Sequence, residues 1–306
     1  MRRYIAQRMA AALVTLIGVS LLIFMLVRLL PGDPARVIAG LLADEREVER
    51  IRVQMGLNRP LPQQYALFFT HFIRGDLGTS ARTGQPVLKE LLARMPYSLE
   101  LAAVSTLLAV VVGVAAGVLA ATRRNTPLDY LISLGTLIGI SMPVYWLGLL
   151  LIILFAVKLH WLPAAGADQP ASLILPALTL AAFSVALITR MTRASLFDVL
   201  GQDYIRTARA KGVAQRVVVY RHGLRNAMVP IVTVIGLQLG GLVGGAVLTE
   251  TVFGWPGLGQ LLVNSIFSRD FPMVQGLVLT AAGMIILINL GVDLFYAYVD
   301  PRIHFS

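Results

Sequence analysis

Six stretches of this chain are long enough and apolar enough to cross hydrocarbon, and no other feature limits its possible folds so strongly. A bilayer core of about 30 Å is spanned at about 1.5 Å per helical residue, so a crossing helix needs about 20 mainly apolar residues. The tracts run from Met9 to Leu30, Leu101 to Thr122, Leu131 to Val157, Leu173 to Thr189, Val229 to Thr249 and Met273 to Tyr296. The fourth is the shortest and carries Pro176, which is tolerated because the first helical turn needs no donor there. A seventh tract around Tyr65, Phe68, Phe69 and Phe72 is too short to cross. It is expected to lie at an interface or in a small extramembrane layer, as is "VLKELLARM", whose Leu88, Leu91, Leu92 and Met95 recur at helical spacing. Composition agrees: 57% of residues are apolar and only 14% charged, whereas a soluble domain has about a quarter charged. The expected fold is an all-α integral membrane protein with six transmembrane helices.

Charge placement gives the orientation, because lysine and arginine in short loops are retained on the cytoplasmic side. With the N-terminus inside, that side collects Arg2, Arg3, Arg8, Arg123, Arg124, eight basic residues between Arg190 and Arg225, and Arg302. Its acids are Asp129, Asp198, Asp203 and Asp300, so the whole formal excess of +10 falls there. Both termini are therefore expected to be cytoplasmic. The formal charge thus reflects topology and anionic lipid rather than a nucleic-acid site. The apolar run after the first arginines continues to Leu30, and "PGDPAR" lacks a small-x-small cleavage pattern, so this segment reads as a retained anchor rather than a signal peptide.

Between the fourth and fifth tracts lies "DYIRTARAKGVAQRVVVYRHGLRN", a strongly basic block in an apolar chain. Gly201 interrupts the descending helix, Gln202 or Asp203 can cap a new one, and Gly212 stops it after Lys211. A second segment, Ala214 to Met228, leads to Pro230 at the start of span five. Arg206, Arg209, Lys211, Arg216, Arg221 and Arg225 would serve to hold the loop on anionic head groups. Ala208 and Ala210 instead suit a helix entering a protein cleft.

The block resembles the cytoplasmic coupling loop, the EAA motif, of permease subunits in bacterial binding-protein-dependent ABC importers. With the motif's glycine on Gly212, Arg206, Thr207 and Ala208 stand at its Glu, Ala and Ala positions, so only one of the three letters is kept. Arg225 replaces a later proline. The dipeptide, oligopeptide and nickel branch is a closer match over nearly the whole chain. "LLPGDP", "MGLNRPLPQQY", "RGDLGTS", "RMTRASLFDVLGQDYIRTARAKG", "LRNAMVPIVTVIGLQ" and "TETVFGWPGLG" are similar, in order and spacing, to that branch's first permease subunit.

The resemblance implies a type I importer permease and a set of segments. These are an N-terminal tail and first span over 1–30, a helical periplasmic segment over 31–97, a permease core over 98–296 with a coupling loop at 190–228 and a periplasmic loop at 250–272, and a cytoplasmic tail over 297–306. It also implies a second permease subunit forming a heterodimer, two cytoplasmic ATPase subunits, a periplasmic or lipid-anchored substrate-binding protein, and a location in the bacterial inner membrane. Asp203, Tyr204, Ile205, Arg206, Thr207, Ala208, Arg209, Ala210, Lys211 and Gly212 would then enter a groove on the ATPase. The cargo expected is a di- or oligopeptide, with nickel, glutathione or another small solute as alternatives. A stand-alone carrier or a membrane scaffold would be the rival classes.

ATP and magnesium are expected on the partner ATPases. A phosphate-binding P-loop needs Gly-Lys-Ser/Thr, and none of Lys89, Lys158 or Lys211 is followed by Ser or Thr. Without cysteine, thiol chemistry is excluded. His71, His160, His222 and His304 stand apart without partners at helical spacing, so no metal site is expected. No catalytic constellation stands out, and the chain reads as a permease rather than an enzyme.

Span five carries Gly236, Gly240 and Gly244 at spacings of four, with Gly241 and Gly245 beside them. Such a face serves close helix packing or a pathway, and Gln238 and Asn289 would bond across helices or face a polar conduit. Asp293 lies near a helix end, which gives proton relay little support. Glu100 and Glu250 are expected at solvated outer helix ends. In "ETVFGWPGLGQLL", Phe253, Gly254, Trp255, Pro256, Gly257 and Gly259 suit either a re-entrant turn or an interfacial aromatic anchor. The resemblance favours a periplasmic gate.

Overall fold

The structure is a computed structural model that describes residues 2–29, 34–40, 43–54 and 56–299. "LLPGDP" and the C-terminal residues from Asp300, including Arg302 and His304, lie largely or wholly outside them. The described residues form helices in the order α1 Arg2–Leu29, α2 Pro34–Ala39, α3 Glu45–Gln54, α4 Leu61–Ile73, α5 Val87–Thr122, α6 Pro127–Ser141, α7 Val144–Leu151, α8 Ile174–Leu200, α9 Asp203–Ala210, α10 Gln215–Val217, α11 Arg225–Val252, α12 Leu258–Phe267 and α13 Phe271–Val299. Wider π-helical segments, Ile152–Lys158 and Val218–Leu224, continue α7 and join α10 to α11.

Among the described residues five helices are long and apolar enough to cross a membrane, over Gln7–Leu29, Val87–Thr122, Pro170–Leu200, Gln215–Gly241 and Phe271–Asp293. The expected third span differs from expectation. It is two helices, Pro127–Ser141 and Val144–Lys158, bent by 110°. Met142 sits before Pro143 and is extended, at φ −89° and ψ 125°, because the proline ring disfavours helical geometry in the residue before it. The described residues thus hold six candidate spans only if the bent pair counts as one. "VLKELLARM" also differs, being the first turns of the 36-residue α5 rather than a separate helix. Pro96 lies inside that helix without ending it.

The chain divides into two compact units. One comprises Met1–Ser98 and Pro256–Leu287. In it α4 packs on α1 through an edge-on contact of Phe24 with Tyr65, ring centroids 5.3 Å apart, and a hydroxyl hydrogen bond between Ser20 and Tyr65 of 2.8 Å. Buried Gln64 accepts from Arg28 Nε and Nη2 at 2.9 and 2.8 Å and donates to the Leu57 and Arg59 carbonyls, which satisfies its amide. Ile23, Val27, Phe271 and Leu279 form one core, and Val87, Leu91, Met273 and Leu277 another. Asp270 is buried and accepts from Ser80 Oγ and from the Ala81 backbone at 3.0 Å, fastening the 80–83 turn to the start of α13.

The other unit comprises Leu99–Trp255 and Ile288–Ser306. Its centre is α8, against which α5, α6, α7 and α11 pack. Leu101, Ala177, Leu180, Ala246 and Trp255 form its core at one end. Leu196, Val219, Ala227 and Ile231 with Val118 and Ala121 form it at the other.

Candidate functional site

The first helix of the basic block, α9, buries one side chain. Ile205 is fully buried while Asp203, Tyr204, Arg206, Thr207, Arg209, Ala210, Lys211 and Gly212 are exposed and Ala208 is half-buried. Gln202 occupies the N-cap without a side-chain cap bond. At the other end the Gly212 amide donates to Arg209 O at 3.0 Å and the Val213 amide to Ala208 O at 3.2 Å. This reciprocal pair is a Schellman motif, which needs a left-handed residue between the two amides. Gly212 provides it at φ +77°. The helix therefore stops where the sequence predicts.

The second segment runs without a break into span five. Gln215–Val217, the π-helical turns and α11 form one helical run, and Pro230 lies inside α11 rather than at its start. Asn226 ties this run to α9, its Nδ2 donating to Tyr204 Oη at 3.1 Å and to His222 O at 2.8 Å. Close approach of the π-helical turns to the end of α8 depends on Gly223, where an added methyl would lie 3.0 Å from Leu196 Cδ1 and 3.2 Å from Leu200 Cδ2.

Nearby in the same unit, Arg193 of α8 grips Asp129 of α6 with two parallel bonds, Nε to Oδ1 at 2.7 Å and Nη2 to Oδ2 at 2.9 Å. Asp129 is 1% exposed and also accepts the Asn125 amide at 3.1 Å. Thr126 caps α6 by accepting the Asp129 amide. Sequence reasoning counts Asp129 and Arg193 only as loop charges. The Thr-Pro-x-Asp pattern at a helix start was the available signal for the aspartate.

Between α6, α8 and α11 lies a cavity of about 810 Å³, whose walls include Ser133, Thr136, Arg190, Arg193 and Gln238. Gln238 Nε2 donates to Ser184 Oγ at 3.2 Å. Gly240 and Asn289 are brought together: a methyl on Gly240 would lie 2.9 Å from Asn289 Oδ1. Gly236 is buried and Gly241 exposed, and Gly244 and Gly245 belong to the same helix. Tighter glycine contacts lie on another helix. A methyl on Gly113 would lie 2.8 Å from Ile188 Cγ2, and one on Gly117 would lie 2.4 Å from Thr192 Cβ and 2.8 Å from Thr189 O. This α5–α8 seam follows a small-xxx-small pattern that the sequence contains and the argument from span five passes over.

The aromatic turn is buried, not an interfacial anchor. Phe253 is 1% exposed and Trp255 is 3% exposed. Phe253 lies against Gly148, where a methyl would come within 3.1 Å of its ring, and its carbonyl accepts the Gly166 amide at 3.0 Å. Gly254 turns the chain at φ +58°, and the Trp255 amide returns to Glu250 O at 2.9 Å. Glu250 is fully buried, contrary to the solvated end expected of it. In the other unit Gly257 precedes α12, Pro256 is half-buried and Gly259 buried, and the Leu258 amide donates to Ser98 Oγ at 2.8 Å. There too Asp76 accepts the Gly78 amide and pairs with His71 Nδ1 at 2.8 Å. The Gly78 amide first, and the His71 bond second, hold its carboxyl below the usual carboxylate range. Among the described residues no three His, Asp or Glu side chains gather as a metal site.

The profile of the family described as "Binding-protein-dependent transport system inner membrane component" matches residues 113–305, and that of the N-terminal part of such components matches residues 1–102. A protein of Escherichia coli O6:H1 named glutathione transport system permease protein GsiC is 48% identical over 306 residues, covering 100% of both chains. Its namesakes in Escherichia coli K12 and Salmonella paratyphi A are 47% identical over the same length. Among solved structures, an inward-facing MetNI methionine ABC transporter chain aligns with a TM-score of 0.58 at 23% identity, over 69% of this chain and 96% of that one. An amino acid ABC transporter solved with histidines aligns with a TM-score of 0.53 at 15% identity, over 69% and 94%. At these identities the structural likeness concerns the fold alone.

Proposed function

The chain belongs to the binding-protein-dependent transport system inner membrane components, and from that premise we propose the division of labour by which it works and the solute it carries. It is a multi-pass inner-membrane permease component of an ABC importer. The cargo is a peptide-like solute, and glutathione is the first candidate, since full-length relatives at 47–48% identity carry that name. The importer pairs this chain with a second permease subunit in a heterodimer, two ATPase subunits and a substrate-binding protein. ATP and magnesium sit on the ATPases.

In this reading the chain crosses the membrane six times with both ends cytoplasmic, the bent α6–α7 pair being one crossing. The segment over 31–97 and the turn from Phe253 to Gly259 face the binding protein. The helix α9 enters a groove on the ATPase, and nucleotide-driven closure moves α11 through it. One observation carries the coupling assignment: α9 exposes its basic face, buries Ile205 and ends in the Gly212 turn, while the Tyr204–Asn226 bond attaches it to the helical run that becomes α11.

Ala208→Glu tests it, because a buried unpaired carboxylate at a docking face is costly. In the assembled importer this variant should lose substrate-stimulated ATP hydrolysis and uptake together. Survival of both would show that α9 is not the docking element. Uptake by the isolated chain without ATPases would instead mark a stand-alone carrier.

A further inference from the structure

We propose that the cavity between α6, α8 and α11 is a transit site for the solute's carboxylate, with Arg190 as the residue that receives it. The substrate class assumed rests on the reading above; the site itself rests on the geometry. Arg190 and Arg193 stand three residues apart on α8 and both line the cavity, as residues one turn apart share a face. Asp129 neutralises Arg193 through its two bonds. Arg190, in contrast, is exposed and makes no hydrogen bond or ion pair among the described residues. The wall therefore carries one uncompensated guanidinium.

The remaining lining fits a small zwitterion. Ser133, Thr136 and Gln238 supply polar atoms among Leu137, Leu187 and Val234. Ser184 holds the Gln238 amide nitrogen, which leaves the amide oxygen as an acceptor for an ammonium group. A volume of about 810 Å³ falls within the range of roughly 300–1,000 Å³ usual for small-molecule sites. A guanidinium presents paired donors that match a carboxylate's two oxygens. A phospholipid phosphate shares that chemistry, so the test must separate the two sources.

The chain has no cysteine of its own, so Ala194→Cys places a reporter on the cavity wall once any thiols of the partners are blocked or replaced. The assembled importer is reconstituted in nanodiscs of phosphatidylcholine, and the rate of maleimide labelling is followed. S-methylglutathione, which carries free carboxylates and no thiol, should slow labelling at least threefold. Its dimethyl ester should not, and Arg190→Gln should abolish the protection while Arg190→Lys keeps part of it. Equal protection by the ester, no protection by the acid, or protection that persists in Arg190→Gln would overturn the site. So would nanodiscs containing phosphatidylglycerol in which labelling is slow without added solute and fast again in Arg190→Gln, since the occupant would then be a lipid head group. Uptake of glutathione into proteoliposomes is measured separately. Its failure with protection intact would remove glutathione as cargo and leave the carboxylate site standing.

Discussion

Asp129 and Arg193 come from helices 64 residues apart in sequence and meet as a two-point ion pair, 2.7 and 2.9 Å long, with the carboxylate almost entirely buried. Removing one partner leaves the other charged and desolvated, which costs roughly 3–5 kcal/mol for a fully buried pair. Arg193 is about a third exposed, so the lower end of that range applies. Asp129→Ala and Arg193→Ala should each lower the thermal midpoint of the purified importer by several degrees. The double variant should lose clearly less than the two losses added together. Additivity, measured in the same detergent, would show that the pair is not coupled.

Gly117 is set for a steric test. An alanine there places its methyl 2.4 Å from Thr192 Cβ and 2.8 Å from the Thr189 carbonyl, neither of which can swing aside. Gly117→Ala should therefore separate α5 from α8 and cut the yield of folded protein sharply. Gly135 has nothing within 4 Å of an added methyl. Gly135→Ala should be neutral or stabilising by about 0.5–1 kcal/mol, the usual helix preference for alanine. Comparable yields for the two variants would contradict the α5–α8 packing.

Tyr204 and Asn226 are the polar tie between α9 and α11. Tyr204→Phe keeps the ring and removes the acceptor, a loss of about 1 kcal/mol for a net hydrogen bond. If α9 drives α11, solute moved per ATP hydrolysed should fall about two- to fivefold while hydrolysis continues. Asn226→Ala should act alike, with no further loss in the double variant. An unchanged transport-to-hydrolysis ratio would assign the bond to stability alone.

Asp76 gives a pH-dependent signal outside the spans. Its carboxyl is held below the ordinary carboxylate range, chiefly by the Gly78 amide, so the ionised form binds better in the folded turn. That contribution is present above the unfolded pKa of about 3.9 and is lost as pH falls through the depressed folded value. Asp76→Asn should speed hydrogen exchange at the Gly78 amide near pH 7, with the difference from the native chain fading in strong acid. The carboxylate is exposed, so the effect is local and leaves the midpoint of global unfolding nearly unmoved.

Much of the site was legible because its signals are local. Gly212 ends α9 because a left-handed turn is cheapest without a β-carbon, which depends on a few neighbouring residues only. The break in the third apolar tract was local too: Pro143 acts on Met142, but hydropathy averages over a window and does not register a bend. Pairings between distant segments were not legible. Nothing in the sequence near Asp129 names Arg193, and Glu250 reads as solvated although the folded chain buries it completely.

Sequence alone determined that the chain lives in a bilayer, where the apolar tracts lie, which loop carries the basic helix and where that helix stops, since length, hydropathy and turn chemistry are properties of contiguous residues. Tertiary structure alone decided which charges are paired, which glycines are squeezed and where an unpaired guanidinium faces open space. Those outcomes depend on distances of a few ångströms between side chains far apart in the chain, and such distances exist only once the helices have packed.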